Sequence, residues 1–168
     1  GGAGGYLGSQ IGDIGKSFSN IGITDPGIQN ILARGSVNLG LNIAGGAPLE
    51  NALLNATLTN TSYTSPATVY AALYSVAPTE STSGTELSGS NYSRQSVAFS
   101  VASGVATNTA NVTFGAASAT WSTAVAWAIC DASSSGNILY YSTLSPTQTV
   151  LNGDSLTFAS GDITVSMD

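Results

Sequence analysis

Histidine is absent from the 168 residues, cysteine occurs once, and only three side chains carry a positive charge. Without histidine, the Ser-His-Asp and Cys-His arrangements of nucleophilic catalysis cannot be built within this chain. Zinc sites draw chiefly on Cys and His, and Cys130 has no companion for either a metal site or an internal disulfide. Its neighbours, Trp127 to Asp131, read as a buried strand, in which a free cysteine acts as a small hydrophobe. The three cations are Lys16, Arg34 and Arg94, against nine acidic residues and a net charge of −6. Neutralising a phosphate backbone requires clustered Lys or Arg, so nucleic acid is not expected as a partner, and an anionic membrane surface is excluded on the same ground. No stretch reaches the roughly 18 apolar residues of a membrane span. The opening Gly1 to Tyr6 lacks the basic stretch and apolar run of a secretory signal. There is no GxxxxGK[ST] phosphate loop, and the early Gly-Gly-Ala-Gly-Gly lacks the preceding strand and following acidic residue of a dinucleotide site. No cofactor is expected.

Charge of either sign is also scarce, at 7 % of residues against about 25 % in ordinary globular proteins. The surface must therefore be made of Ser, Thr, Asn, Gly and Ala. Such surfaces suit packing of protein on protein, because burying a hydroxyl costs less than burying an ion. Apolar residues nonetheless make up 42 %, enough for a real core.

The chain has two textures, with a break at Gly45-Gly46-Ala47-Pro48. Residues 1–46 are glycine-rich and form an N-terminal arm; residues 47–168 form the body and hold both tryptophans and six of the seven tyrosines. Within the arm, Ile11, Ile14, Phe18 and Ile21 recur at helical spacing, interrupted by Gly12 and Gly15. Asp25-Pro26-Gly27-Ile28 to Arg34-Gly35 carries the signals of a short helix: Asp25 as cap, Pro26 at the first position, Gly35 at the close, and Ile28, Ile31 and Leu32 as its apolar face. Val37, Leu39, Leu41 and Ile43 alternate with polar or small residues, which predicts a strand. So little bulk cannot bury a core alone, and the arm should lie along its own body or a neighbouring subunit. Ile11, Ile14, Phe18, Ile21, Ile28, Ile31 and, from the body, Arg94 are the candidate subunit-interface residues.

Pro48 to Leu58 reads as one helix, and everything after it reads as β. Strand runs are expected at Thr68–Tyr74, Tyr92–Val101, Asn111–Phe114, Trp121–Cys130, Asn137–Tyr141, Ser155–Phe158 and Ile163–Met167. Turn material lies between them, notably Ser133 to Gly136 and Asn152-Gly153-Asp154. The expected fold class is all-β: an antiparallel β-sandwich, Ig-like or jelly-roll-like, with one short helix at its start and an extended N-terminal arm.

Candidate chemistry in the body is thin. Glycoside hydrolysis needs two facing carboxylates, and Glu80, Glu86, Asp131, Asp154 and Asp162 are available. Most sit in turns, where Asp commonly bonds its own backbone. Asp154 and Asp162 could alternatively hold a hard cation, although the spacing matches no calcium loop. Arg94, the body's sole cation, can pair with Glu86 or Asp131 or stack on an aromatic ring. Trp121 and Trp127, six apart, share a face of a regular strand; they either pack the core or, if exposed, form a sugar-stacking platform.

Several segments together resemble a family of small bacteriophage virion proteins, often labelled phage tail fibre proteins. The resemblance is carried by Leu49-Glu50-Asn51-Ala52-Leu53-Leu54, Thr68 to Tyr74 with Ala77-Pro78-Thr79-Glu80, Gly84 to Gly89, and Asn91-Tyr92-Ser93-Arg94-Gln95. Downstream it continues through Trp121, Asp131, Gly136 to Tyr140, Asn152-Gly153-Asp154 and Ile163-Thr164-Val165. It spans residues 49–168. The resemblance implies a non-enzymatic structural β-sandwich of the virion, associated with the tail as fibre, tip or adaptor, with the arm as an added anchor. It also implies other virion structural proteins, tail or major capsid subunits, as partners. Capsid decoration, as a cement protein clamping coat subunits, and host-glycan binding are the alternatives. Low surface charge and the arm favour a homo-oligomer.

Overall fold

The computed structural model describes residues 31–35 and 48–167. Expectations that fall on residues 1–30 and 36–47 lie outside the described residues. Strand β1 (Ile31–Gly35) is followed by helix α1 (Pro48–Leu58) and ten strands: β2 (Val69–Val76), β3 (Thr85–Glu86), β4 (Gln95–Val97), β5 (Phe99–Ala102), β6 (Val105–Asn108), β7 (Val112–Gly115), β8 (Ala124–Cys130), β9 (Ile138–Gln148), β10 (Ser155–Phe158) and β11 (Ile163–Met167).

They form a β-sandwich. One layer has the order β3-β2-β8-β9, with β4 pairing on the same edge of β2 as β3. The facing layer consists of β1-β11-β6-β5 and the two-stranded β10-β7. The central strands β2 and β8 read as unbroken apolar runs because both their faces are buried. Ala71, Leu73, Trp127 and Ile129 point into the inter-sheet core, where Phe114, Leu156, Phe158 and Ile163 meet them from the other layer. Ala72, Ala126, Ala128 and Cys130 occupy the outer face, small residues clustered with Tyr74, Ile138 and Tyr141. Burial of a large core side chain stabilises by about 1.5–3 kcal/mol, so this alternation decides which way each strand faces.

Two devices let the chain pass from one sheet to another. Ala98 alone separates β4, whose Val97 pairs with Val69 of β2, from β5, whose Phe99 pairs with Asn108 of β6. In the second layer, the runs β6–β7 and β10–β11 are both interrupted, and Asn108 joins the two interruptions. Only 2 % exposed, it donates through Nδ2 to the carbonyls of Ala110 and Ala159. Its Oδ1 accepts from the backbone N–H groups of Gly161 and Ile163. A buried amide with all four bonds met costs little; one with its partners missing would be expensive.

The structure departs from expectation in several places. The helix predicted from Asp25 to Gly35 is, over Ile31–Gly35, a strand paired in parallel with β11, Ile31 opposite Ile163 through Gly35 opposite Met167. Capping signals are local, and a ladder with β11 outweighs them. Strands β3 and β6 have no expected counterpart: β3 is only two residues long, and the hairpin of β6 with β5 turns through Ser103 and Gly104, both at positive φ, which supplies the favoured mirror-image turn without an Asn-Gly signature. Strand β9 runs on to Gln148, past the expected Tyr141 and through Pro146, which an edge strand tolerates.

Candidate functional site

Between β3 and β4 the edge of β2 would be bare at Leu73. The intervening loop closes that gap: the Leu87 N–H donates to the Leu73 carbonyl, and the Leu73 N–H donates to the hydroxyl of Tyr92. The Tyr92 ring is packed inward, stacked on Phe114 at 6.1 Å and edge-on to Trp121 at 5.5 Å. Its hydroxyl in turn donates to Oε1 of Glu86 at 2.9 Å. Burial pushes the Tyr92 phenol well above its ordinary range, partly offset by the Leu73 N–H, so it is a fixed donor.

Arg94 completes this arrangement. Its Nε and Nη2 donate in a fork to the two oxygens of Glu86, each at 2.9 Å. Its Nη1 donates to the carbonyls of Ala132 and Ser135 at 2.8 and 2.7 Å. The side chain is 9 % exposed, and the Glu86 bonds hold the guanidinium still more firmly in its charged form. Of the partners open to Arg94 in the sequence, Glu86 is the one taken. Asp131 instead accepts from the backbone and side-chain nitrogens of Asn137. That turn needs glycine at position 136, where φ is +70° and a Cβ would collide with the Asp131 carboxylate.

Of the remaining candidates, Glu80 and Asp154 are exposed and Asp162 is half-buried. Asp162 accepts from the Ala159 N–H, and burial raises its carboxyl above the usual range. Among the described residues, no group of three or more His, Cys, Asp or Glu side chains is placed to hold a metal ion. Trp121 and Trp127 are 4 % and 1 % exposed and lie in one core cluster, so the pair packs the core and forms no surface platform. Trp121 donates to the Ser90 carbonyl. Cys130 is fully buried, and burial pushes its thiol up to about 11. Ile31 opens β1, its backbone opposite Ile163, whereas Ile11, Ile14, Phe18, Ile21 and Ile28 lie outside the described residues.

What the surface offers is apolar. Val101 is 74 % exposed and Leu58 75 % exposed; Leu54, Val76 and Leu151 are each more than half exposed. Between the layers, at the end nearest α1, the sandwich opens into a cleft of about 280 Å³. Val101, Ala106 and Val165 form one wall, and Val69, Leu139 and Tyr140 form the other. α1 stands beside it, with Leu49 packed on Leu139 and Leu53 near Val69 and Tyr140. No charged residue lines the cleft.

Residues 46–166 match a family described as podophage GP4 fiber I protein gp80. The chain belongs to that family. It is therefore a virion component, in a family of structural phage fibre proteins. No curated protein matches the chain. The body's polar side chains fit a fibre-family member: Arg94, Glu86, Tyr92 and Asn108 serve the framework itself. Asn108 and the Tyr92 hydroxyl escaped sequence reading because their roles lie in strand edges and interruptions that no local pattern marks. The cleft escaped it because its two walls are more than 20 residues apart along the chain.

Proposed function

We propose that this protein is a non-enzymatic structural module of the phage tail, serving as a fibre, tip or adaptor component. In this reading the β-sandwich is the building block and the N-terminal segment anchors it to neighbouring virion subunits, in a homo-oligomer of cyclic symmetry. The observation that carries the reading is family membership over residues 46–166, which leaves the glycine-rich, apolar first 45 residues as an addition to the shared body. Two features support it. Four of the ionisable candidates, Glu86, Arg94, Asp131 and Asp162, are occupied in holding strands and turns, and Glu80 and Asp154 stand exposed in separate loops. The surface exposes apolar and hydroxyl groups with little charge, which suits protein contacts in a permanent assembly. We assign the arm's grip to Ile11, Ile14, Phe18, Ile21 and Ile28.

The test is incorporation into particles. Phage carrying a chain without residues 1–30 should assemble particles lacking this protein, while the shortened chain, which keeps β1 on β11, keeps its thermal transition. Cryo-electron microscopy of the intact phage should place the full-length copies on the tail. Truncated bodies that still load, or copies spread over the capsid, would overturn the reading.

A further inference from the structure

The sheet β1-β11-β6-β5 ends at β5, and the hairpin register fixes which backbone groups that edge leaves open. Ala102 pairs with Val105 across the turn, Ser100 pairs with Thr107, and the Thr109 N–H donates to the Ala98 carbonyl at 2.9 Å. Bonded and non-bonded pairs alternate along an antiparallel ladder, so Ser100 and Ala102 turn their backbone groups toward β6. Phe99 and Val101 turn theirs the other way. Among the described residues, no strand pairs with that side of β5.

Sheet edges are commonly blunted against pairing with another chain by a charge, a proline or a bulge. At the other ends of the two larger sheets, β1 carries Arg34, β3 carries Glu86 and β9 carries Pro146. β5 has no charge and no proline, and its ladder with β6 runs without a register shift. Val101, within this strand, is 74 % exposed. From Gln95 to Cys130, β4 through β8, the sequence has no charged residue, so the net charge of −6 is carried elsewhere. Two copies can therefore approach along β5 without setting like charges opposite each other.

We propose that β5 is the interface at which two copies of this chain pair, edge to edge and antiparallel, with Ser100 on the two-fold axis. That register is self-complementary. Phe99 of each copy lies opposite Val101 of the other, and each such pair exchanges the backbone bonds that the hairpin leaves open. A slip of one residue would oppose Phe99 or Val101 to Ser100, whose backbone groups already face β6. Phe99 and Val101 also line the inter-sheet cleft, so pairing continues the apolar wall of one copy into the next and covers Val101. The inference rests on the homo-oligomer part of the proposed function, to which it gives an interface, and it requires nothing of tail placement.

Analytical ultracentrifugation of the full chain at micromolar concentration should give twice the mass of one chain. Val101→Lys, which sets two ammonium groups beside the axis, should sediment as a monomer. Leu151→Lys, at an exposed apolar residue before β10, should stay paired. Circular dichroism checks that both variants keep their sheets. Ser100→Cys gives a second readout that requires no loss of association. Opposed, non-bonded residues of an antiparallel ladder lie about 4.5 Å apart at Cα, within disulfide reach, so mild oxidation should link this variant into a covalent dimer. Cys130 is buried and takes no part. Ala102→Cys, displaced about 14 Å along the ladder from its twin, should not link. A monomeric wild type would overturn the proposal and the homo-oligomer with it. A trimer, an oligomer that survives Val101→Lys, or linkage through Ala102→Cys in place of Ser100→Cys would overturn the β5 interface alone and leave the homo-oligomer standing.

Discussion

Arg94 shows how a single cation can become internal scaffolding. It joins the β3 edge to the turn after β8 through one carboxylate and two carbonyls. Arg94→Ala would leave Glu86 with Tyr92 alone and strip both carbonyls of their donor. We expect a loss of about 2–4 kcal/mol in urea unfolding, with Arg94→Lys recovering little because an ammonium lacks the fork. Equal stability of the wild type and Arg94→Ala would refute the clasp. Cys130 gives a prediction of a different kind. Its thiol ionises at the ordinary value of 9.0 in the unfolded chain and is pushed up to about 11 by burial in the fold. Between those values the fold keeps a proton that the unfolded chain has lost. The stabilisation is therefore complete below pH 9 and declines as pH rises to about 11. Tyr74 and Tyr92, also raised by burial, extend the decline in the same direction. Cys130→Ala should flatten the first part of that decline when the melting temperature is followed from neutral to alkaline pH.

At the scale of elements, the second layer depends on two interrupted strand runs bending together. Asn108 is where they are joined, and Asn108→Ala would orphan the N–H groups of Gly161 and Ile163 and the carbonyls of Ala110 and Ala159. A cost of about 2–4 kcal/mol follows if water cannot replace those bonds. Hydrogen exchange should quicken first at β6 and β11, and a uniform change across the sandwich would contradict the joint. The bare point on the β2 edge is served by the Tyr92 hydroxyl. Tyr92→Phe keeps the ring packing against Phe114 and Trp121 and removes only that contact and the bond to Glu86. Its expected cost is smaller, about 1–2 kcal/mol by thermal or urea unfolding.

For the whole molecule, the shortage of charge shapes how it associates. Twelve charged residues of 168, one pair of them joined inside the body, leave little for salt to screen. Raising ionic strength from about 0.1 M to about 1 M shortens the screening length from about 10 Å to about 3 Å. Attachment to the particle should survive that change, because contacts between apolar and hydroxyl groups do not weaken with screening. Sedimentation of salt-washed particles checks this, and release of the protein at high salt would point to ionic anchoring instead.

The amino-acid order by itself determined the class of the fold. Alternating and continuous apolar runs placed seven strand regions and α1, because period and burial are local properties of a strand or helix. The absence of His and the lone Cys130 likewise bounded the chemistry from composition alone. Other features depended on which segments meet. Ile31–Gly35 carries local helix signals and becomes a strand because β11 offers it a ladder. Arg94 had three possible partners in the sequence, and the return of the chain from β3 to β4 selected Glu86. Trp121 and Trp127 could have been surface or core until the second layer covered them. Asn108 and the cleft arise where residues distant in sequence are brought together, a condition that tertiary packing decides and local pattern does not encode.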